Sequence, residues 1–186
     1  MVRIIIGNEA VYREDQTITQ VAAHIRRVKQ SVTVPVSTAE PWHLWLDHPE
    51  LVDAVDFIAV HLLPYWEGVA LDAAVDYALL RYRQLRDAYP EKPIVITEVG
   101  WPSHGRMLHD AVATPANQAR FLRRFLAAAA REGMVYYIME AFDQPWKSAL
   151  EGQAGAHWGI YDTARQPKFA FVSPVVPVPN WTSLAA

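Results

Sequence analysis

Residues 95–103 read Val-Ile-Thr-Glu-Val-Gly-Trp-Pro-Ser, an apolar, β-branched run that leads into a glutamate and then a glycine and a proline. β-branched residues favour strands, and Gly and Pro indicate the end of an element. Residues 5–9 read Ile-Ile-Gly-Asn-Glu and repeat this arrangement. Each stretch therefore predicts a strand that carries a carboxylate, Glu98 or Glu9, at its end.

Around these two stretches, strand-like and helix-like segments alternate along the 186-residue chain. Short apolar runs predict strands at 3–6, 32–36, 57–61, 94–97 and 135–139. Apolar residues at helical spacing predict helices at 17–30, 71–89 and 115–132, and a shorter helix within 41–54. We expect Asp15 to cap the first helix, Thr114 to cap the helix at 115–132, and Gly133 to end it. Strands that alternate with helices predict a parallel α/β sheet.

Polar and acidic side chains follow the predicted strands: Asn8, Glu9, Thr38, Glu40, His61, Glu98, Glu140 and Asp143. A (β/α)8 barrel builds its active site at the carboxyl ends of its strands. An open doubly wound sheet binds ligands there as well, but no Gly-rich phosphate-binding loop follows any of these strands. Because a barrel has eight strands and about 250 residues, we predict a partial (β/α)8 TIM barrel of about five parallel strands with flanking helices. The chain would be a fragment of a barrel, or would take its partner strands from another copy.

The composition narrows the classes of function. The net charge of −3, from 17 basic and 20 acidic residues, argues against nucleic acid as a partner. The chain has no cysteine, which excludes disulfides and thiolate metal sites. Seven tryptophans and eight tyrosines suit a sugar-binding cleft, because flat rings stack on the C–H faces of pyranose rings.

Several other kinds of site and segment are not indicated. His43 and His48 lack the i, i+4 spacing of a helical metal site, so we expect no metal and no cofactor. Ser103 lies outside any Gly-x-Ser-x-Gly turn, which argues against a serine nucleophile. No apolar run approaches the roughly 18 residues of a membrane helix. The apolar run at residues 4–6 is too short for a signal peptide, so we expect any export signal to lie outside this chain.

The two strand-end glutamates suggest a specific chemistry. Glycoside hydrolysis uses two carboxylates that face each other across the scissile bond. Glu9 and Glu98 can meet in this way only if the sheet curls, as it does in a barrel. The alternative is that each is an ordinary surface residue of a loop.

Four segments resemble glycoside hydrolase family 17, the β-1,3-glucanases and β-1,3-glucanosyltransferases. Residues 7–9 (Gly-Asn-Glu) resemble the family's acid/base motif after barrel strand 4, and residues 97–103 resemble its nucleophile motif after strand 7. Residues 142–147 and 158–161 resemble the segment after strand 8 and the closing segment. The resemblance covers about residues 2–172 and implies that strands 4 to 8 are present.

The resemblance implies a retaining double displacement on β-1,3-glucan, with Glu98 as nucleophile, Glu9 as acid/base and carboxyl groups roughly 5 Å apart. It implies that Asn8 bonds the 2-hydroxyl of the sugar and that Lys147 donates to sugar hydroxyls. The other expected substrate-binding residues are His61, Tyr65, Trp66, Trp101, Phe142 and Trp146. Two positions depart from the family pattern. Leu63 replaces the usual tyrosine before a proline, which leaves His61 as its substitute, and Glu151 fits the acidic position after Lys147 only at altered spacing.

The resemblance also bears on the surroundings of the domain. We expect residues 1–172 to be the C-terminal part of the catalytic domain and residues 173–186 to be a proline-rich tail or linker. The expected partner is a β-glucan. Self-association or a missing N-terminal barrel half would complete the fold. Similar domains are fused to membrane glycosyltransferases, and the family implies a periplasmic or extracellular location. The alternative function is that of an inactive fragment, which would act as a carbohydrate-binding or assembly module.

Overall fold

The computed structural model describes residues 2–170. It contains one parallel sheet whose strand order follows the chain, β1-β2-β3-β4-β5. The strands are β1 (Ile4–Asn8), β2 (Val36–Pro41), β3 (Ile58–Leu62), β4 (Ile94–Val99) and β5 (Val135–Ile138). The α/β class and the parallel sheet of five strands are confirmed.

Helices connect the strands and also follow β5. They are α1 (Ile18–Lys29), α2 (Trp42–Asp47), α3 (Pro49–Ala54), α4 (Leu71–Ala88), α5 (Pro115–Glu132) and α6 (Ser148–Gly155), with a 3₁₀ turn at Pro145–Lys147 before α6. The expected ends of α5 are confirmed. Thr114 Oγ1 accepts a hydrogen bond from the Asn117 N–H at 3.1 Å, and Gly133 ends the helix at a left-handed φ of 64°.

Three local predictions were wrong. Strand β2 begins at Val36, where the predicted strand at 32–36 ends, because Pro35 has no N–H to donate to a ladder. Thr17 caps α1 instead of Asp15, since Thr17 and Gln20 form a reciprocal capping box. The segment 41–54 contains two helices, because Pro49 starts a second one.

The two faces of the sheet differ in how they are covered. One face packs against the helices in the main core, which includes Ile25, Ile58, Ile96, Phe121 and Phe125. The other face carries only a small buried cluster of Ala39, Phe57, Ala59 and Val95. This concave face opens into a cavity of about 290 Å³, which extends up to His61 and Glu98.

The edges of the sheet are open within residues 2–170. Strand β1 pairs only with β2, and β5 pairs only with β4. On these edge strands Ile5, Val135 and Tyr137 are 41%, 44% and 54% exposed. Parallel sheets are normally covered on both faces, and long exposed edges are normally blunted, covered or removed by closure into a barrel. The concave face and both edges are therefore surfaces that a further layer of protein would cover. In residues 2–170, no helix has both the length and the apolar character needed to cross a membrane.

Candidate active site

Three ionisable side chains converge at the carboxyl ends of the strands. Glu9 directly follows β1, and His61 and Glu98 pair in register across β3 and β4. One carboxylate oxygen from each glutamate and one ring nitrogen of His61 all lie within 4.8 Å of one another. The sheet thus curls enough to bring an oxygen of Glu9 and an oxygen of Glu98 together.

The conformation of Glu9 depends on a glycine two residues earlier. Gly7 has a φ of 82° and lies where the pairing of β1 with β2 shifts register between Ile5 and Asn8. Glu9 itself has a φ of 54°, a region that residues with side chains rarely occupy. Its N–H donates to the Ala39 carbonyl at 2.8 Å. Strained backbone of this kind concentrates at functional sites, where the surrounding structure holds it in place.

His61 lies between the two carboxylates. Its side chain is only 2% exposed, and its Nδ1 lies 2.9 Å from Glu9 Oε1 and 3.6 Å from Glu98 Oε2. The contact with Glu9 Oε1 fits the tautomer that carries its proton on Nδ1, which then donates a hydrogen bond to that carboxylate oxygen. The opposite ring nitrogen, Nε2, has no partner within the described part of the chain. The structure therefore places His61 within reach of Glu98, as the sequence suggested, and closer still to Glu9.

Arg13 occupies the other oxygen of Glu9. Its Nε and Nη2 donate to Glu9 Oε2 at 3.1 and 3.0 Å. The Arg13 backbone N–H also donates to the Glu9 carbonyl at 2.8 Å, so one turn of chain carries both partners. No motif in the sequence indicates Arg13. The spacing of four residues from Glu9 was the available signal, and it identifies an ion pair only where the backbone turns as it does here.

Glu40 anchors the loop that carries Glu9. The residue is fully buried, its Oε1 accepts from the Val11 N–H at 3.0 Å, and its Oε2 accepts from the Tyr12 N–H at 3.2 Å. Burial raises the pKa of Glu40 despite these two bonds. The sequence indicated Glu40 only as a polar strand-end residue. Its partners are backbone groups roughly thirty positions earlier, and no local pattern reveals them.

The electrostatic environments of Glu9 and Glu98 differ. Burial pushes the pKa of Glu9 upward, but hydrogen bonds from His61 and Arg13 outweigh it and hold this pKa below the ordinary value. Burial raises the pKa of Glu98, and the charge of Glu9 adds to this effect. Glu9 therefore ionises first. A retaining reaction needs one carboxyl that holds a proton and one that is ionised, so a difference in pKa between two such groups bears on their possible roles.

Lys147 is held by a carboxylate. Its Nζ lies 2.8 Å from Glu140 Oε2, which also accepts a bond from the Gln144 side chain. Glu140 thus fixes the direction of Lys147, a role that the sequence did not indicate. Glu151, on α6, is near enough for its charge to raise the pKa of Glu98. Asn8 is exposed and lines the cavity next to His61 and Glu98.

The predicted aromatic residues divide into two groups. Trp66, Phe142 and Trp146 are 38%, 45% and 64% exposed and offer ring surface to a ligand. Tyr65 and Trp101 are fully buried, so they do not belong to the surface of the cleft, where the sequence analysis placed them. Their polar atoms find partners in the interior, since the Tyr65 hydroxyl donates to the Arg106 carbonyl and Trp101 Nε1 donates to the Val112 carbonyl. Buried Tyr and Trp rings are stable in the interior when their polar atoms are hydrogen-bonded in this way.

The cluster of Glu9, His61 and Glu98 also has the composition of a metal site, because each residue offers one ligand atom. Glutamate oxygens and an imidazole nitrogen suit several divalent ions. Acidic groups also gather without an ion where they perform acid–base chemistry. The expectation of no metal stays a prediction.

Comparisons with known proteins give a consistent result. A family model described as the BtgE/BtgC glycoside hydrolase domain matches residues 1–159. A glucan 1,3-beta-glucosidase of Candida albicans is 26% identical over 189 residues, which cover 89% of this chain and 61% of that protein.

Solved structures agree with this match. A glycoside hydrolase family 17 beta-1,3-glucanosyltransferase from Rhizomucor miehei aligns with a TM-score of 0.81 and 32% identity, over 90% of this chain and 62% of that chain. An active-site mutant of Rhizomucor miehei beta-1,3-glucanosyltransferase in complex with laminaritriose aligns with the same TM-score and 31% identity, over 89% and 61%. The chain therefore spans about three fifths of the length of these relatives.

Proposed function

Since the chain belongs to the BtgE/BtgC glycoside hydrolase family, within the family 17 group that its motifs predicted, we propose that it carries the catalytic pair of a retaining enzyme for β-1,3-glucan. One observation carries the proposal: an oxygen of Glu9 lies within 4.8 Å of an oxygen of Glu98. Retaining glycosidases hold their carboxyl groups about 5 Å apart, whereas inverting enzymes leave about 6.5–9.5 Å for a water molecule.

The proposed reaction has two steps. Glu98 attacks the anomeric carbon, and Glu9 gives its proton to the glycosidic oxygen as that bond breaks. The product is a covalent glycosyl-enzyme and a shortened glucan. In the second step Glu9 removes a proton from the acceptor, whose oxygen displaces Glu98 from the sugar. Water as acceptor gives hydrolysis, and a sugar hydroxyl gives transglycosylation.

The choice between these outcomes depends on which acceptor reaches the glycosyl-enzyme. The relatives include a protein named as a glucosidase and one named as a glucanosyltransferase, so both outcomes occur in the group. Exposed rings in the loops that follow the strands support a sugar acceptor, because they can hold a second saccharide while water is excluded. Trp146 is 64% exposed, and its ring lies 5.8 Å from Lys147 Nζ, whose charge acts on Glu98, so we assign this role to Trp146.

The proposed sugar-binding surface combines polar and aromatic groups. Asn8 and Lys147 supply hydrogen bonds, and Trp66, Phe142 and Trp146 supply stacking surface. His61 is 2% exposed, so it acts through its contact with Glu9 and not as part of the open surface. Such a mixture is typical of sugar sites, where a few polar groups fix orientation and flat apolar surface supplies contact area. Tyr65 and Trp101 are left out of this surface because they are buried.

The open sheet indicates what completes the domain. The chain is a partial (β/α)8 barrel with five strands, and a closed barrel has eight. We propose that residues 1–172 form the C-terminal part of the catalytic domain, and that an N-terminal barrel half or a second copy covers the concave face. Residues 171–186, and with them the predicted tail at 173–186, lie outside the described residues. A location outside the cytoplasm and a fusion to a membrane glycosyltransferase stay predictions.

The second candidate function is a glucan-binding or assembly module without catalysis. The observation that favours it is the uncovered concave face, with unpaired edges at β1 and β5 within residues 2–170. An incomplete barrel could hold a saccharide at its strand ends and still lack the contacts that catalysis requires.

Incubation with laminari-oligosaccharides separates the two functions. Shorter products show hydrolysis, and longer products show transfer. Binding measured by calorimetry without any product supports the binding module. Size-exclusion mass in the same samples shows whether a second copy completes the barrel.

A further inference from the structure

Strand β4 contains a bulge at the proposed nucleophile. Val95 belongs to the cluster on the concave face, and Ile96 and Val99 belong to the main core on the opposite face. Thr97 and Glu98 lie between them and both line the concave cavity, although successive residues of a strand normally point to opposite faces. The pairing of β4 with β5 shifts register between Ile96 and Val99. The bulge therefore turns Glu98 toward the inside of the curved sheet, as bulges next to active sites do.

Strand β5 keeps a regular alternation next to this bulge. Ile96 pairs with Tyr136, and Val99 pairs with Ile138. Tyr137 alone therefore lies opposite the two bulged residues. Tyr136 and Ile138 pack against the main core, whereas Tyr137 is 54% exposed and lines the concave cavity. Because neighbouring strands are only about 4.8 Å apart, Tyr137 is the side chain of β5 that lies beside the nucleophile on the same face of the sheet.

Glu98 is flanked by a polar side chain on each neighbouring strand. On β3 it pairs in register with His61, and on β5 it faces Tyr137. His61 Nδ1 lies 2.9 Å from Glu9 and 3.6 Å from Glu98, so its hydrogen bond goes to Glu9. Within residues 2–170 the Glu98 carboxylate accepts no hydrogen bond, and the Tyr137 hydroxyl makes none. The two groups are complementary neighbours in one cavity, since a phenol donates and a carboxylate accepts.

We propose that Tyr137 is a positioning residue that donates a hydrogen bond to the Glu98 carboxylate and holds it for attack on the anomeric carbon. The inference rests on the proposed function, because it requires Glu98 to be the nucleophile. Since its ring is 54% exposed, Tyr137 is free to turn toward Glu98 when that carboxylate is ionised. One Glu98 oxygen then forms the bond to the sugar, and the other, which becomes the carbonyl oxygen of the glycosyl ester, keeps the hydrogen bond. The proton stays on the phenol oxygen throughout.

The charges around Glu98 show what such a donor offsets. Burial raises the pKa of Glu98, and the negative charges of Glu9 and Glu151 raise it further. His61 and Lys147 act in the opposite direction, but burial and like charge prevail. A carboxylate nucleophile must be ionised, and a hydrogen bond to the charged form favours that form. An uncharged donor on β5 therefore stabilises the anion without an ion pair that would hold it back from the sugar.

The first test is a carbon-13 NMR titration of the glutamate carboxyls in the full chain, which needs no turnover. The Glu98 signal is the one that Glu98→Gln removes. Tyr137→Phe deletes only the hydroxyl, and Tyr136→Phe is the matched control, because the Tyr136 ring packs against Phe125 on the helical side of the same strand. We expect the Glu98 midpoint in Tyr137→Phe to rise by roughly 0.5–1 pH unit, the effect of losing one hydrogen bond to a charged group at a partly exposed site. The control should leave it unchanged. An unchanged midpoint in Tyr137→Phe overturns the inference.

The second test is kinetic. With laminari-oligosaccharides, kcat should fall about 10- to 100-fold in Tyr137→Phe, less than the loss of an oxyanion-hole donor usually costs. The acid limb of kcat/KM, which follows the ionisation of Glu98 in the free enzyme, should move to higher pH by as much as the NMR midpoint does. Loss of activity by one factor at every pH would indicate a structural role only and would refute the inference. A raised midpoint with wild-type kcat would show a contact that the reaction does not use, and would refute it as well.

The outcomes separate this inference from the proposed function. If Glu98→Gln retains full activity, the proposed function fails, and the role of Tyr137 fails with it. If Glu98→Gln is inactive and Tyr137→Phe behaves as wild type, only this inference fails. Circular dichroism of Tyr137→Phe and Tyr136→Phe should match wild type, which excludes unfolding as the cause of either result.

Discussion

Glu9 follows β1 and Glu98 lies in β4, two strands that are not neighbours, yet an oxygen of one carboxylate lies within 4.8 Å of an oxygen of the other. Strands β2 and β3 separate β1 from β4 in the sheet. Three inter-strand spacings of about 4.8 Å would put them roughly 14 Å apart in a flat sheet. The curvature of the sheet therefore brings the two carboxylates together. The helices pack against the opposite, convex face and form the main core there.

Glu98→Gln should abolish turnover of laminari-oligosaccharides while the fold persists. The amide cannot form the glycosyl ester, so we expect a loss on the order of 10³-fold or more, as is usual for removal of a nucleophile. Product analysis with circular dichroism measures activity and fold together. Glu91→Gln, on an exposed turn, is the matched control. Equal activity in Glu98→Gln and wild type would refute the nucleophile assignment.

Glu9→Ala should lose activity on natural glucan and regain it with an activated donor in the presence of azide. A good leaving group needs no acid, and the small anion takes the place of water at the glycosyl-enzyme without needing a base. The measurement is the rate of release of the leaving group and the identity of the glycosyl azide. Absence of the azide product would count against Glu9 as acid/base.

Glu98→Gln should also change stability in a way that depends on pH. The folded pKa of Glu98 lies above its ordinary 4.5, so the native state binds the proton more tightly than the unfolded state. The buried, ionised carboxylate therefore costs no stability below about pH 4.5, and this cost grows as the pH rises through the folded pKa. We expect the variant to be more stable than wild type at pH 7 and equal to it near pH 4. Urea denaturation at both pH values measures the free energy of unfolding. A variant that is more stable than wild type only at low pH would contradict the idea that the native state buries an anion at position 98.

Glu40→Ala should destabilise the loop that carries Glu9. The change leaves the Val11 and Tyr12 N–H groups without their acceptor. An unpaired buried donor costs about 1–3 kcal/mol, and the loss here should be at the low end because Tyr12 is 53% exposed and water can reach its backbone. Activity should fall further than stability, because Glu9 loses the anchor of its turn. Glu40→Gln retains one acceptor oxygen and should recover part of both losses. Denaturant midpoints and initial rates test this. Wild-type rates in Glu40→Ala would show that Glu40 does not position Glu9.

Trp146→Ala and Trp101→Ala should have opposite effects. Trp146 is 64% exposed, so its loss should weaken glucan binding and leave the thermal midpoint almost unchanged. Trp101 is fully buried, and its truncation should cost about 3–5 kcal/mol of unfolding free energy. Thermal denaturation and a binding isotherm with laminaritriose distinguish the two. A large loss of stability in Trp146→Ala would show that this ring packs instead of binding sugar.

The sequence predicted those features that neighbouring residues encode. Thr114, Pro115 and Gly133 mark both ends of α5, because capping and left-handed termination involve only a few consecutive residues. The strand before Glu98 follows from its β-branched composition. Strand β2 was misplaced because its residues 37, 38 and 40 are buried polar side chains, which no apolar pattern reveals. Their hydrogen-bond partners, such as the Phe57 carbonyl that accepts from Ser37 Oγ, come from distant positions.

The sequence by itself determined the α/β order of elements and indicated the two strand-end glutamates as candidates, because strand propensity, helical spacing and short motifs are local properties. Only the tertiary structure decided which groups surround those glutamates. His61 between them, Arg13 on Glu9 and Glu40 under the loop are contacts made by the curvature of a parallel sheet and one left-handed turn. Burial separated Trp101 from Trp146 in the same way, since the depth of a side chain depends on what packs over it and not on its neighbours in the chain.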